Sequence, residues 1–174
     1  MDPNPVDSGR AVRCTRLFQK VSGKAGDRPQ NWKGYVGSML IFNMVMFSLS
    51  FTILALQHYL PLNPDSKGQL EGSLIFNTAA SFTSNTNLQH YSGEVSLSYF
   101  SQLFALMWLQ FVSAATGLAA LTALSRGLAG RKDMGNFYVD VQRAAILVLL
   151  PCSLLVASFL VLGGVPMTFE GAAK

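Results

Sequence analysis

At 174 residues, half of them hydrophobic and only 13% charged, the chain falls well short of the roughly 25% charged residues of a soluble domain. Asp, Glu, Lys and Arg are all missing from residues 36–57, 95–125 and 144–169, which excludes a soluble helical bundle, whose helices need a charged face. The net charge of +4 does not indicate nucleic acid, because the cations lie in blocks between the apolar segments.

Residues 1–34 carry Pro3, Pro5, Gly9, Gly23, Gly26 and Pro29 among scattered charges, a composition that predicts an irregular tail with one short helix over residues 11–21. Trp32 and Tyr35 follow and are expected at the headgroup level, where amphipathic rings concentrate. The first membrane span is then residues 36–57, long enough at about 1.5 Å per residue to cross about 30 Å of hydrocarbon. Leu60-Pro-Leu-Asn-Pro64 ends it, since proline lacks an amide donor and restricts the residue before it.

The next element is too short to cross a bilayer and too apolar to be an ordinary loop. Residues 72–83 predict a half-length helix, with Leu74, Ile75, Thr78, Ala79 and Phe82 on one stripe and Asn77 and Ser81 on the other side. Five small polar residues follow: Thr83, Ser84, Asn85, Thr86 and Asn87. Their carbonyl and side-chain oxygens can replace a cation's water shell, and irregular backbone at membrane depth is tolerated where it lines such a cavity. The C-terminal end of the half-helix, equivalent to about half a negative charge, favours a cation there. A hydrophilic surface turn is the competing reading of 83–87; it gives no cause for the apolar half-helix before it. Asn77 and Gln89 are expected to brace the loop, and Gly93 to give backbone freedom at its exit.

A second span is predicted over residues 99–125, containing Ser113-Ala-Ala-Thr-Gly117, small residues that let membrane helices pack closely. Residues 126–141 form a connection, in which Asp140 and Arg143 are expected to pair at i, i+3. A third span covers residues 142–164, bent at Pro151 and ended by Gly163, Gly164 and Pro166. Residues 165–174 form a tail. Asn43 and Gln110, polar residues within spans, are expected to bond to neighbouring helices or to face another subunit. The fold class is therefore an all-α membrane protein: a span, re-entrant pore loop and span, plus one further transmembrane helix.

Orientation follows from the cations. Seven Lys and Arg precede the first span, one lies between the first and second, four between the second and third, and one after the last. The positive-inside rule puts the N-terminus and residues 126–141 in the cytoplasm, so the pore loop enters from outside. The basic blocks can also meet anionic membrane lipid. No secretory signal is visible, because the first thirty residues have no apolar h-region. Cys14 and Cys152 lie on opposite sides of any sensible pairing and read as free thiols. Enzyme signatures are absent: there is no phosphate loop, no His-Glu-x-x-His pair and no phosphorylation-type aspartate. His58 and His90, the two histidines, are assigned no role.

Several stretches together carry a family resemblance: Gln57-His-Tyr-Leu-Pro-Leu-Asn-Pro64, Phe76-Asn-Thr-Ala-Ala-Ser-Phe-Thr-Ser-Asn-Thr-Asn87, Tyr91-Ser-Gly-Glu94, Leu97-Ser-Tyr-Phe-Ser-Gln102, Ser113-Ala-Ala-Thr-Gly117 and Gly135-Asn-Phe-Tyr-Val-Asp140. The chain, over about residues 31–163, resembles the potassium-binding A subunits of bacterial Kdp potassium-transporting ATPases, members of the potassium-transporter superfamily. The resemblance implies four span–loop–span units around one potassium filter, to which Ser84, Asn85, Thr86 and Asn87 supply the first segment, flanked by Thr83 and Gln89. Ser84 stands where many relatives have threonine, a change that keeps the hydroxyl. Potassium is implied as the transported ligand, with no bound cofactor, in the bacterial inner membrane. A catalytic P-type subunit (KdpB) and accessory subunits (KdpC and KdpF) are the implied partners. Met1–Val12 carries no resemblance, and relatives have an additional span in its place. One unit cannot close a pore of four, so the expectation is a partial subunit or an assembly of several chains. A passive homo-oligomeric cation channel and a non-functional membrane fragment are the alternatives.

Overall fold

The computed structural model describes residues 28–165, and all elements within that range are helical. The predicted helix over residues 11–21, Cys14 and Pro166 lie outside it. Three long helices, α1 (Trp32–Ala55), α4 (Tyr99–Leu128) and α5 (Phe137–Leu162), are apolar and long enough to cross a membrane. The half-length helix α2 (Gly72–Thr83) and a single turn, α3 (Gly93–Ser96), lie between α1 and α4. At about 1.5 Å per residue α2 reaches about 18 Å, roughly half the hydrocarbon thickness.

Side-chain caps start the long helices. Asn31 accepts from the Gly34 amide at 2.8 Å to open α1. Ser98 accepts from the Ser101 amide at 3.2 Å to open α4. Asn136 accepts from the Tyr138 and Val139 amides at 3.1 and 3.4 Å to open α5. Each satisfies amides that the first helical turn leaves without partners. Helix α5 ends in a Schellman arrangement: Gly164 takes φ +76, its amide donates to the Val161 carbonyl, and the Val165 amide donates to the Leu160 carbonyl.

Two cores hold the helices together. At one end Leu54, Ile75, Ala79, Phe82, Leu97, Ala105, Leu106 and Leu109 pack α2 between α1 and α4. At the other, Ala115, Ala119 and Ala123 recur every fourth residue along α4 and let Phe137, Val141 and Tyr35 approach closely. The Tyr35 ring meets Phe137 edge-on, with centroids 5.5 Å apart. Away from these cores the surfaces stay apolar. No residue of Leu150–Leu162 is buried, which suits a helix surrounded by lipid or by other protein.

Polar hubs secure α1 at both ends. At the start of a 3₁₀ turn (Gln57–Tyr59), Gln57 is fully buried, donates to the Gly68 and Ser96 carbonyls at 2.7 and 3.1 Å, and accepts from the Ser101 hydroxyl at 3.3 Å. At the basic end Tyr35 is buried and its single hydroxyl hydrogen is shared between two acceptors, the Ala119 carbonyl at 2.8 Å and Asp140 Oδ2 at 3.1 Å. The Tyr35 ring is buried in this core, while Trp32 is exposed.

The expected Asp140–Arg143 pair does not form. Asp140 is buried against α4, where the Arg126 guanidinium grips both its oxygens, with Nη2 2.9 Å from Oδ1 and a second short contact from Nη1 to Oδ2. A planar guanidinium on the facing helix matches a carboxylate with two parallel bonds, which exposed Arg143 on the same helix cannot do. Arg126 also donates to the Met134 carbonyl at 2.7 Å. Gly135 beside it takes φ +81, and a Cβ there would stand 2.8 Å from Arg126 Cζ. Backbone bonds from the Gln30 amide to the Gly135 carbonyl (2.7 Å) and from the Met134 amide to the Gln30 carbonyl (3.0 Å) complete this clamp.

Pro151 lies inside α5 and does not end it. The helix continues through Pro151 to Leu162, with a π-helical segment at Ala144–Leu149 just before it. Wider winding there relieves the carbonyl that the proline ring crowds and cannot bond. A second π segment occupies Gln102–Met107 in α4.

Candidate functional site

Helix α2 buries Ile75, Thr78, Ala79, Ser81 and Phe82 and stops at Ser84. Ser81 is therefore on the buried side, not the side shared with Asn77 as expected. Its position follows the i, i+4, i+7 series from Leu74 through Thr78. The chain then turns sharply, because Asn85 and Asn87 take φ values of 60 and 51, a left-handed conformation that asparagine adopts more readily than most residues.

Ser81 organises the turn. Its carbonyl accepts from the Thr86 and Asn87 amides at 3.0 and 3.2 Å, and from the Ser84 and Thr86 hydroxyls at 3.2 and 3.0 Å. Its hydroxyl oxygen accepts from the Leu88 amide at 2.7 Å. The Ser84 and Asn85 amides turn back to the Ala80 and Phe82 carbonyls at 3.0 and 3.4 Å. Every amide from Ser84 to Leu88 is thus directed into the helix end.

The carbonyls are left over. Among the described residues, no hydrogen bond reaches the backbone oxygens of Thr83, Ser84, Asn85, Thr86 or Asn87. Five acceptors in succession stand without donors beside the negative end of a helix dipole, an arrangement that favours a cation. The hydroxyls of Ser84 and Thr86, in contrast, are engaged with Ser81 and with each other at 3.1 Å. Thr83 Oγ1 is buried without a hydrogen-bond partner.

Braces come from three directions. Asn77 Nδ2 lies 3.2 Å from His90 Nδ1, joining the half-helix to the returning strand of the loop. Among the described residues, Gln89 reaches only the Tyr91 hydroxyl, at 3.4 Å. Gly93 does not supply the expected freedom: it takes no positive φ, opens α3, and its carbonyl accepts from Gln102 Nε2 at 3.2 Å. From α4, the Ser113 hydroxyl donates to Asn85 Oδ1 at 3.2 Å. Ser81, Ser113 and His90 are the residues that sequence reasoning did not assign to the site. The helical period marked Ser81; nothing local marked a contact between Ser113 and Asn85, 28 positions apart.

Asn43 is half-buried beside the loop, in a groove with Phe76, Ala80, Thr83 and Ser84, and Gln110 is exposed on α4. Glu94, on the exposed rim, titrates below the ordinary glutamate value, first because the Ser92 hydroxyl donates to it at 2.6 Å.

These features define a multi-spanning helical membrane protein in which a half-length helix and an oxygen-rich turn are inserted between two spans. The family described as the Potassium-transporting ATPase A subunit, KdpA, matches residues 6–174, and the chain belongs to that family. Similar proteins named potassium-transporting ATPase potassium-binding subunit include one from Pseudomonas entomophila, 52% identical over 95% of this chain. Others are from Pseudomonas putida, 50% identical over 97%, and Caldanaerobacter subterraneus, 44% identical over 89%. The chain spans 28%, 29% and 28% of the lengths of these three relatives. The match starts at residue 6, so residues 6–12, expected to carry no resemblance, fall within it, while residues 1–5 do not.

Proposed function

We propose that the chain forms part of a potassium-binding subunit and supplies one segment of its ion filter, the carbonyl row of Thr83–Asn87. The observation that carries this is the row itself: all the amides are drawn into the helix end, and five successive carbonyls are left without donors. A dehydrating monovalent cation needs such oxygens to replace its water, and carbonyl dipoles at the end of a helix provide them with little reorganisation. The relatives' shared name, potassium-binding subunit of a potassium-transporting ATPase, favours potassium as the ion.

The half-helix would dip from the outer face, with the basic end, bearing Lys33, Arg126, Arg131 and Lys132, in the cytoplasm of a bacterium and the helices in its inner membrane. The chain would bind and pass the ion without hydrolysing ATP. Hydrolysis would fall to a catalytic partner of the KdpB kind, with accessory KdpC and KdpF subunits alongside.

Thr86→Lys tests this reading. An ammonium about 4 Å from the ion costs about 4 kcal/mol at an effective dielectric of about 20, so potassium affinity should fall by about a thousandfold. The readout is potassium uptake by cells that depend on the protein carrying this sequence. Uptake of unchanged affinity at the same protein level would refute the assignment.

A further inference from the structure

We propose that Ser113 on α4 is a positioning residue for the ion turn, setting through Asn85 where the carbonyl row stands and so how well the site tells potassium from other alkali cations. This inference rests on the function proposed above. Ser113 is 5% exposed, and its hydroxyl donates to Asn85 Oδ1 at 3.2 Å. A serine within a helix ordinarily bonds back to a carbonyl of its own preceding turn. Thr116, on the same helix, does so, donating to the Val112 carbonyl at 3.0 Å. Ser113 instead commits its hydroxyl to Asn85, in the turn that follows α2.

The bond falls where the turn most needs support. Asn85 and Asn87 are the two left-handed residues of the segment, and Asn85 Oδ1 accepts from both Ser113 Oγ and, at 3.4 Å, Asn87 Nδ2. One side-chain oxygen thus ties both strained residues to α4, while Ser81 holds the opposite, helix side of the same turn. Removing the Ser113 hydroxyl leaves the carbonyls in place chemically but frees their position on the α4 side. Since Ser113 need not touch the ion, the effect should appear in affinity and discrimination, not in the maximal rate.

The test compares Ser113→Ala with Thr116→Val in cells whose potassium uptake depends on the protein carrying this sequence. Potassium and rubidium uptake are measured across concentration, with membrane protein levels quantified. For Ser113→Ala, the KM for potassium should rise about three- to tenfold, the usual worth of one hydrogen bond. The rubidium-to-potassium KM ratio should fall toward one, at an unchanged maximal rate. Thr116→Val should leave all three values unaltered. An unchanged KM and ratio in Ser113→Ala would overturn the inference alone. So would an equal effect of Thr116→Val, or failure of Ser113→Ala to reach the membrane, since either makes Ser113 a general packing residue. Wild-type uptake that shows no saturable potassium dependence would instead overturn the proposed function, and the inference with it.

Discussion

Replacing Ser81 with alanine removes one oxygen and should release one specific amide. The Ser81 hydroxyl accepts from the Leu88 amide at 2.7 Å and lies 3.1 Å from the Thr86 hydroxyl. The Ser81 carbonyl, which holds the Thr86 and Asn87 amides, is untouched by the substitution. A donor left without its partner in a partly buried setting costs about 1–3 kcal/mol. If local opening governs exchange, the Leu88 amide should lose about ten- to a hundredfold of its protection. The amides of Thr86 and Asn87 should change by much less. Residue-resolved hydrogen exchange on the protein in lipid nanodiscs reads both. Equal protection of Leu88 in wild type and Ser81→Ala, or uniform loss across Ser84–Leu88, would refute the division of labour between the hydroxyl and the carbonyl of Ser81.

The basic-end clamp yields a double-mutant prediction. Asp140→Ala leaves the Arg126 guanidinium uncompensated and should destabilise by about 3 kcal/mol, the low end for a buried pair because Arg126 keeps some solvent contact. Arg126→Met with Asp140→Leu should recover most of that loss in thermal unfolding; no recovery would mean that the pair is not the cause. Gly135→Ala should cost a similar amount, since the left-handed backbone and the 2.8 Å approach of Arg126 Cζ both oppose a Cβ. A melting temperature unchanged by Gly135→Ala would argue against the packed guanidinium. Glu94 titrates low because of Ser92, so this contact adds stability above the unfolded-state value and loses it as pH falls through the folded one. Ser92→Ala should therefore raise the Glu94 midpoint in a pH titration followed by carboxyl chemical shift.

The sequence made the long apolar helices and the half-helix readable, because lipid imposes length and composition on each span independently of its neighbours. Helix α2 begins and ends at the residues that periodicity and the following polar run suggest. Contacts between distant segments were not readable. The Arg126–Asp140 pair competes with a local Arg143 alternative, and which one forms depends on the alanine ladder that brings α5 onto α4. The interfacial reading of Tyr35 gives no hint that its hydroxyl reaches Asp140, 105 positions away. The polarity of Ser81 suggests the side of α2 shared with Asn77, but its period sets it with Leu74 and Thr78, and it is buried. Burial of a hydroxyl that has its own partners is inexpensive, and a polarity rule alone misses it.

Carbon-13 labelling of the backbone carbonyls of Thr83–Asn87, followed by infrared spectroscopy of the membrane-embedded protein during cation titration, bears on the ion site directly. Potassium should shift the labelled carbonyl band at concentrations where sodium leaves it unmoved. A band insensitive to potassium, with the protein folded and transport-competent, would contradict the account.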